Sequence, residues 1–196
     1  MDSLANRLAG QSPVRIAGEW HRHLPARFSD RAMEGRTSYS RWGRDRGFPV
    51  LYLGRPTDSV IVEAYRHLVD PVVDDPDIRH HLAPRAMVTA KVDVGDVLDL
   101  RSASARAEVG LALRQMQSGT EDRHAYTACQ EVAAAAHQQG FHGLVAPAAT
   151  QRGETLALFS DRLAESELPV IIETSPWNTF PDDPRLGPRL RLVSDN

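Results

Sequence analysis

The run Pro49-Val-Leu-Tyr-Leu53 constrains this chain most. It is short, nearly continuously apolar and bounded by Gly47 and Gly54, which reads as a buried strand. A turn follows. Thr57 or Asp58 then offers a helix cap, and Val60, Ile61, Ala64 and Leu68 set an apolar stripe at helical spacing. Any fold for this chain must bury that strand and lay the helix against its neighbours.

Other strands are legible from their two-residue period. Glu19 to Leu24 forms a first strand, Ala86 to Val94 alternates, and Val97 to Leu100 continues in extended form. Leu144–Ala146, Thr155–Phe159 and Val170–Glu173 follow, with a last strand expected at Leu190–Val193 beyond a proline-rich crossing. Helices fall between them: a short one after Ser102, and an alanine-rich one from Thr127 to Gln139 with Gly140 at its C-terminal end. Residues 25 to 48 hold six arginines without regular period, and Asp70 to Arg85 is a proline-rich, acidic connection; both are expected to be irregular. Strands at both ends with helices between give an α+β class. At 196 residues, with no repeat and no linker, the chain is expected to form one domain over 19–196 preceded by a loose N-terminal arm over 1–18.

Composition excludes several functions. A formal charge of −3 provides no general attraction to nucleic acid or to an anionic membrane, so direct nucleic-acid binding is not expected. Cys129 is the only cysteine, which rules out an intrachain disulfide and makes a cysteine-based zinc site implausible. His21 with His23, and His80 with His81, lack third and fourth ligands at zinc spacing, so no metal is expected. No apolar run approaches the ~18 residues needed to cross a bilayer. A cytoplasmic protein is expected. The Gly-x-Gly-x-x-Gly and Gly-x-x-x-x-Gly-Lys fingerprints are absent. Any dinucleotide would therefore be a substrate held outside a Rossmann fold, not a resident cofactor.

The segment from Tyr39 to Glu63 carries a more specific signal. Ser40-Arg-Trp-Gly43 leads into the strand ending at Tyr52, and Glu63 lies eleven residues further on. This arrangement resembles the RES domain, a family of bacterial NAD-destroying toxins named for conserved Arg, Glu and Ser residues. The similarity extends diffusely over residues 19 to 160. It implies a split β-sheet core with flanking helices, related to the ADP-ribosyltransferases. It further implies cleavage of the nicotinamide–ribose bond of NAD, with the ADP-ribosyl group passed to phosphate or water. A cognate helix-turn-helix antitoxin is the implied protein partner. Two alternatives stay open: transfer of ADP-ribose to a macromolecule, and an inactive interaction module of the same fold.

That reaction needs a carboxylate near an oxocarbenium-like ribose, a guanidinium for phosphate groups and an aromatic face for the nicotinamide ring. Resemblance matches Glu63, Arg22, Tyr52 and Thr127 to the family's functional positions, with Arg41 as a further substrate-binding candidate. Each has an ordinary structural reading as well. Glu63 alone suits a solvated or ion-paired helix residue, Arg22 an exposed strand arginine and Tyr52 a core side chain. Arg41 suits a loop brace and Thr127 a helix cap. Two departures from the family pattern stand out: Gly43 replaces an asparagine that would organise the loop, and Ala148 replaces a serine. The second change leaves any hydroxyl role to Thr127.

Overall fold

Two long strands form the spine of the molecule. In the computed structural model, which describes residues 3–186 except Val73, Pro76 and Thr120, β1 (Val14–Pro25) runs antiparallel to β3 (Arg85–Asp99). They pair from Val14↔Val97 to Pro25↔Arg85. Alternation along β1 sends Ile16, Trp20 and Leu24 into the core. The run Ala86–Ala90 of β3 is buried throughout, because β1 and β6 (Val170–Trp177) flank it on both edges.

The remaining strands are β2 (Val50–Arg55), β4 (Gly143–Pro147) and β5 (Glu154–Phe159). The sheet order is β1-β2-β5-β4-β3-β6, and β1 also pairs with β3, so five strands close on themselves while β6 hangs outside. All pairs are antiparallel except β3–β4. Closure is minimal at one seam: β1 and β2 meet through the single pair His21↔Gly54. The expected α+β class and split sheet are therefore present, and the split lies between β1 and β2.

Helices cover the faces. The chain contains α1 (Leu4–Ala9), α2 (Thr57–Leu68), α3 (Ile78–His81), α4 (Ala103–Val109), α5 (Leu113–Met116) and α6 (Arg123–Gln138). From α6, Cys129, Val132, Ala133 and Ala136 pack against Leu144, Ala146, Ala157 and Phe159. On the opposite face Ile16, Trp20, Leu51, Leu53, Val92 and Leu156 form a second apolar layer. The short helix α2 lies over the β1–β2 seam. It approaches so closely that a Cβ on Gly54 would sit 2.9 Å from Cγ2 of Val60. No helix among the described residues is long and apolar enough to cross a membrane.

Several expectations require correction. The N-terminal arm is not loose: Ser3 caps α1 through the Asn6 amide, and Leu8 is fully buried beside Val109 and Met116. The first strand starts at Val14, because Val14 and Ile16 find partners in Val97 and Val94. Pro56, not Thr57 or Asp58, occupies the cap position of α2, leaving Asp58 in the first turn where the helix dipole favours an acid. The helix α6 starts four residues before Thr127, since the Asp122 carboxylate accepts from the Ala125 amide. The connection after α2 contains the single turn α3. The strand expected at Leu190–Val193 lies outside the described residues.

Burial of Leu8 ties α1 to the main core. Leu8→Ala is expected to cost about 2–4 kcal/mol, measured as a lower urea midpoint at unchanged slope. An unaltered midpoint would return residues 4–9 to the status of a dispensable arm.

Candidate active site

A cavity of about 480 Å³ opens at the β1–β2 seam. Its walls come from β1, β2, α2, the 39–42 loop, Tyr126 of α6 and the turn after β4. Strands that pair at one point and then part leave room that side chains of a continuous sheet would fill. The cavity is thus a direct result of the topology.

Glu63 stands on the α2 wall, about one-third exposed. His67, one turn on, donates from Nε2 to Oε1 of Glu63 at 2.7 Å, and Nη1 of Arg66 lies 3.7 Å from Oε2. Burial works to raise the pKa of this carboxyl. The His67 hydrogen bond and the positive charges of His67, Arg66 and Arg41 outweigh it, and the net position is below the usual carboxylate range. The site therefore holds a carboxylate, not a carboxylic acid, at neutral pH.

Tyr52 faces the same cavity. Its hydroxyl accepts from the Trp42 amide at 2.8 Å and lies 2.9 Å from Oγ of Ser40. Burial, only partly offset by these bonds, pushes the phenol well above its ordinary pKa. Tyr52 remains neutral and fixes the 40–42 loop against β2.

That loop is organised by a residue the sequence reading missed. The buried amide of Gln130, on α6, donates to the Ser40 carbonyl at 2.8 Å and to the Gly43 carbonyl at 2.9 Å. It thus supplies a side-chain donor to a loop that has Gly43 in place of an asparagine. A Cβ on Gly43 would lie 2.7 Å from Oγ of Ser40, so Ser40 already fills the space beside position 43.

Arg41 lines the cavity and also braces its loop. It is nearly buried, donates to the carbonyls of Gln115 and Ser118 at 2.7 and 2.6 Å, and stacks 4.5 Å over the Tyr126 ring. Arg66 joins the same hub through the Ser118 carbonyl at 3.3 Å, while its Nη1 is buried without a hydrogen bond. Arg22 borders the cavity, but strand alternation gives it the face of Trp20 and Leu24. Its Nη1 donates to the Ala32 carbonyl at 2.7 Å, and burial lowers its pKa.

The face turned toward Tyr52 and Gly54 belongs instead to His21 and His23, because His21 is the residue paired with Gly54. Thr127 is also displaced. It is exposed on the outer side of α6, where its hydroxyl donates back to the Arg123 carbonyl at 2.9 Å. One residue earlier, Tyr126 points inward and stacks on Tyr39. The hydroxyls near Ala148 are those of Ser59 and Thr150, bonded to each other at 2.7 Å on the cavity wall. Cys129 is buried beneath the site, and burial pushes its thiol up to about 11, which removes it as a nucleophile. Among the described residues no three metal-ligating side chains cluster.

The comparisons with known proteins agree on the fold. A family model described as the RES domain matches residues 12–178. A chain in the crystal structure of the M. tuberculosis MbcT–MbcA toxin–antitoxin complex superposes with a TM-score of 0.73 at 24% identity, covering 88% of this chain and 91% of that one. No curated protein sequence matches.

One property of this wall is measurable without a substrate. Burial and the adjacent Arg85 lower His23 from its ordinary 6.5 to about 3. The unfolded chain therefore takes up that proton first, and folding stability falls as pH drops from about 6.5 toward 3. His23→Gln is expected to flatten this part of the stability–pH curve. An unchanged slope between pH 6 and pH 4, read by urea unfolding, would show that His23 is not held neutral.

Proposed function

This chain belongs to the RES domain family, and on that premise we propose that it destroys NAD. The bond between C1′ of the nicotinamide ribose and the pyridinium nitrogen breaks, and nicotinamide leaves as a neutral molecule with the bonding electron pair. A phosphate or water oxygen then bonds to C1′. A phosphate dianion attacks without losing a proton, whereas water must give one up to solvent.

The observation that carries this reading is the Glu63 carboxylate on the cavity wall, kept ionised by His67 and Arg66. An anion fixed beside the ribose ring stabilises the positive charge that develops there, and its effect is largest where water is excluded. Tyr52 and Tyr126 supply aromatic surface, and the Arg66 guanidinium beside Glu63 supplies positive charge for an anionic oxygen. Arg22 borders the pyrophosphate end with its remaining N–H groups. None of these residues has to supply a strong acid, because the leaving group is already cationic.

Incubation of the purified protein with NAD, with and without phosphate, is expected to yield nicotinamide and ADP-ribose or its 1″-phosphate by mass spectrometry. Glu63→Gln is expected to reduce turnover by roughly 100-fold or more with little loss of stability. Intact NAD under every condition overturns the reading. Near-normal turnover by the variant removes Glu63 from the chemistry.

An enzyme of this kind needs restraint in its own cell, and the similar fold in the MbcT–MbcA structure belongs to a toxin held with an antitoxin. The partner we propose is a cytoplasmic helix-turn-helix antitoxin that covers the cavity. The exposed Arg44 and Arg46 beside the buried loop suit an acidic insert. Induction of this chain alone should arrest growth with falling NAD, and co-expression of the adjacent gene's product should reverse both. Harmless induction at constant NAD would favour an inactive module.

A further inference from the structure

We propose that His23 is a substrate-contacting hydrogen-bond donor, its Nε2–H reserved for an uncharged carbonyl oxygen, here the carboxamide of the nicotinamide group. The proposal rests on the reading that NAD is the substrate and adds the residue that recognises its leaving group.

Three contacts fix the imidazole. Arg85 donates to Nδ1 from Nη2 at 2.9 Å and from Nε at 3.2 Å. A guanidinium has no acceptor, so Nδ1 must present its lone pair and the ring proton must sit on Nε2. Trp177 stacks on the imidazole at 5.7 Å with the planes 8° apart, and Phe180 abuts Trp177 edge-on at 5.4 Å. The ring can neither flip nor swing away without breaking these contacts.

Its remaining nitrogen is unused. His23 lines the cavity on the face of Tyr52, and among the described residues its side-chain hydrogen bonds both run to Nδ1, leaving Nε2 open. The charges of Arg85 and Arg22 disfavour a second proton, while Glu63 and His67 lie near enough to act on the ring from across the cavity. The result is a neutral donor surrounded by cationic ones. Phosphate oxygens are better served by the guanidinium groups of Arg22 and Arg66. A neutral N–H discriminates between a good uncharged acceptor and a poor one through the strength of the hydrogen bond it gives each, with no charge attraction to mask the difference. With Glu63 at the ribose C1′, the nearest such acceptor on NAD is the carboxamide oxygen.

The test compares NAD with two analogues: the thionicotinamide dinucleotide, whose sulfur is a weak acceptor, and the 3-acetylpyridine dinucleotide, which keeps the carbonyl but lacks the amide nitrogen. After division by the non-enzymatic hydrolysis rate of each, the wild-type kcat/KM should be similar for NAD and the acetylpyridine form. It should be about ten-fold or more lower for the thio form. His23→Phe, which retains the stack on Trp177, should erase that difference, and His23→Gln should retain part of it. Arg85→Met should weaken the discrimination and let His23 titrate nearer its ordinary value in the pH profile, which a purely structural role would not do.

An undiminished preference in His23→Phe overturns the assignment while leaving NAD cleavage intact. A wild-type protein inert toward NAD overturns both. Nitrogen-15 NMR of the wild type decides the premise independently: a neutral Nε2–H tautomer at pH 7 is expected, and the Nδ1–H tautomer or the charged ring would refute it.

Discussion

The pairing of His21 with Gly54 is the contact on which the rest of the molecule depends. It closes five strands into a circuit, yet it does so at one point, so β1 and β2 are joined and still apart. A full ladder between them would fill the space with paired backbone and packed side chains. Without the pair the sheet would stay continuous through β3, β4 and β5 but lie open between β1 and β2. The single pair holds both walls of the cavity at a fixed separation, and the absence of a side chain on Gly54 lets α2 settle across the gap with Glu63 facing in.

Around that gap the protein handles positive charge in an unusual way. Arg41, Arg66 and Arg22 all give hydrogen bonds to backbone carbonyls, and of the three only Arg66 also reaches a carboxylate, that of Glu63 at 3.7 Å. Carbonyl acceptors orient a guanidinium without neutralising it. The carboxylate of Glu63 is therefore surrounded by cations that are held elsewhere, and His67 alone bonds to it at short range. Carbonyl acceptors thus leave the guanidinium charges of Arg41 and Arg22 uncompensated beside the cavity.

Much of the fold was legible from periodicity: the alternation in β3, the glycine-bounded run of β2 and the alanine-rich α6 all specify elements that form. The positions of Tyr52 and Glu63 on facing walls follow from a strand, a turn and a helix in sequence. What was not legible depends on phase. On β1 a shift of one residue exchanges Arg22 for His23, because neighbouring side chains point to opposite faces, and nothing local says which face borders the gap. On α6 a shift of one residue is about 100° of rotation, enough to exchange inward-facing Tyr126 for outward-facing Thr127. Gln130 carried no signal, since its acceptors are main-chain atoms of a distant loop. The helix α1 is too short for periodicity to show, and only its docking on Val109 and Met116 makes it visible.

The clamp by Gln130 also orders events in time. Tyr52 and Glu63 are near neighbours along the chain, but the loop that completes their cavity is held by an amide 90 and 87 residues further on, and Arg41 is held by carbonyls 74 and 77 residues on. Such contacts close long loops and form only as the whole domain condenses. A chain emerging from the ribosome thus presents Tyr52 and Glu63 well before it owns a pocket. The delay is a property of the topology itself: until α6 docks, the cavity wall formed by the 39–42 loop and Tyr126 is missing.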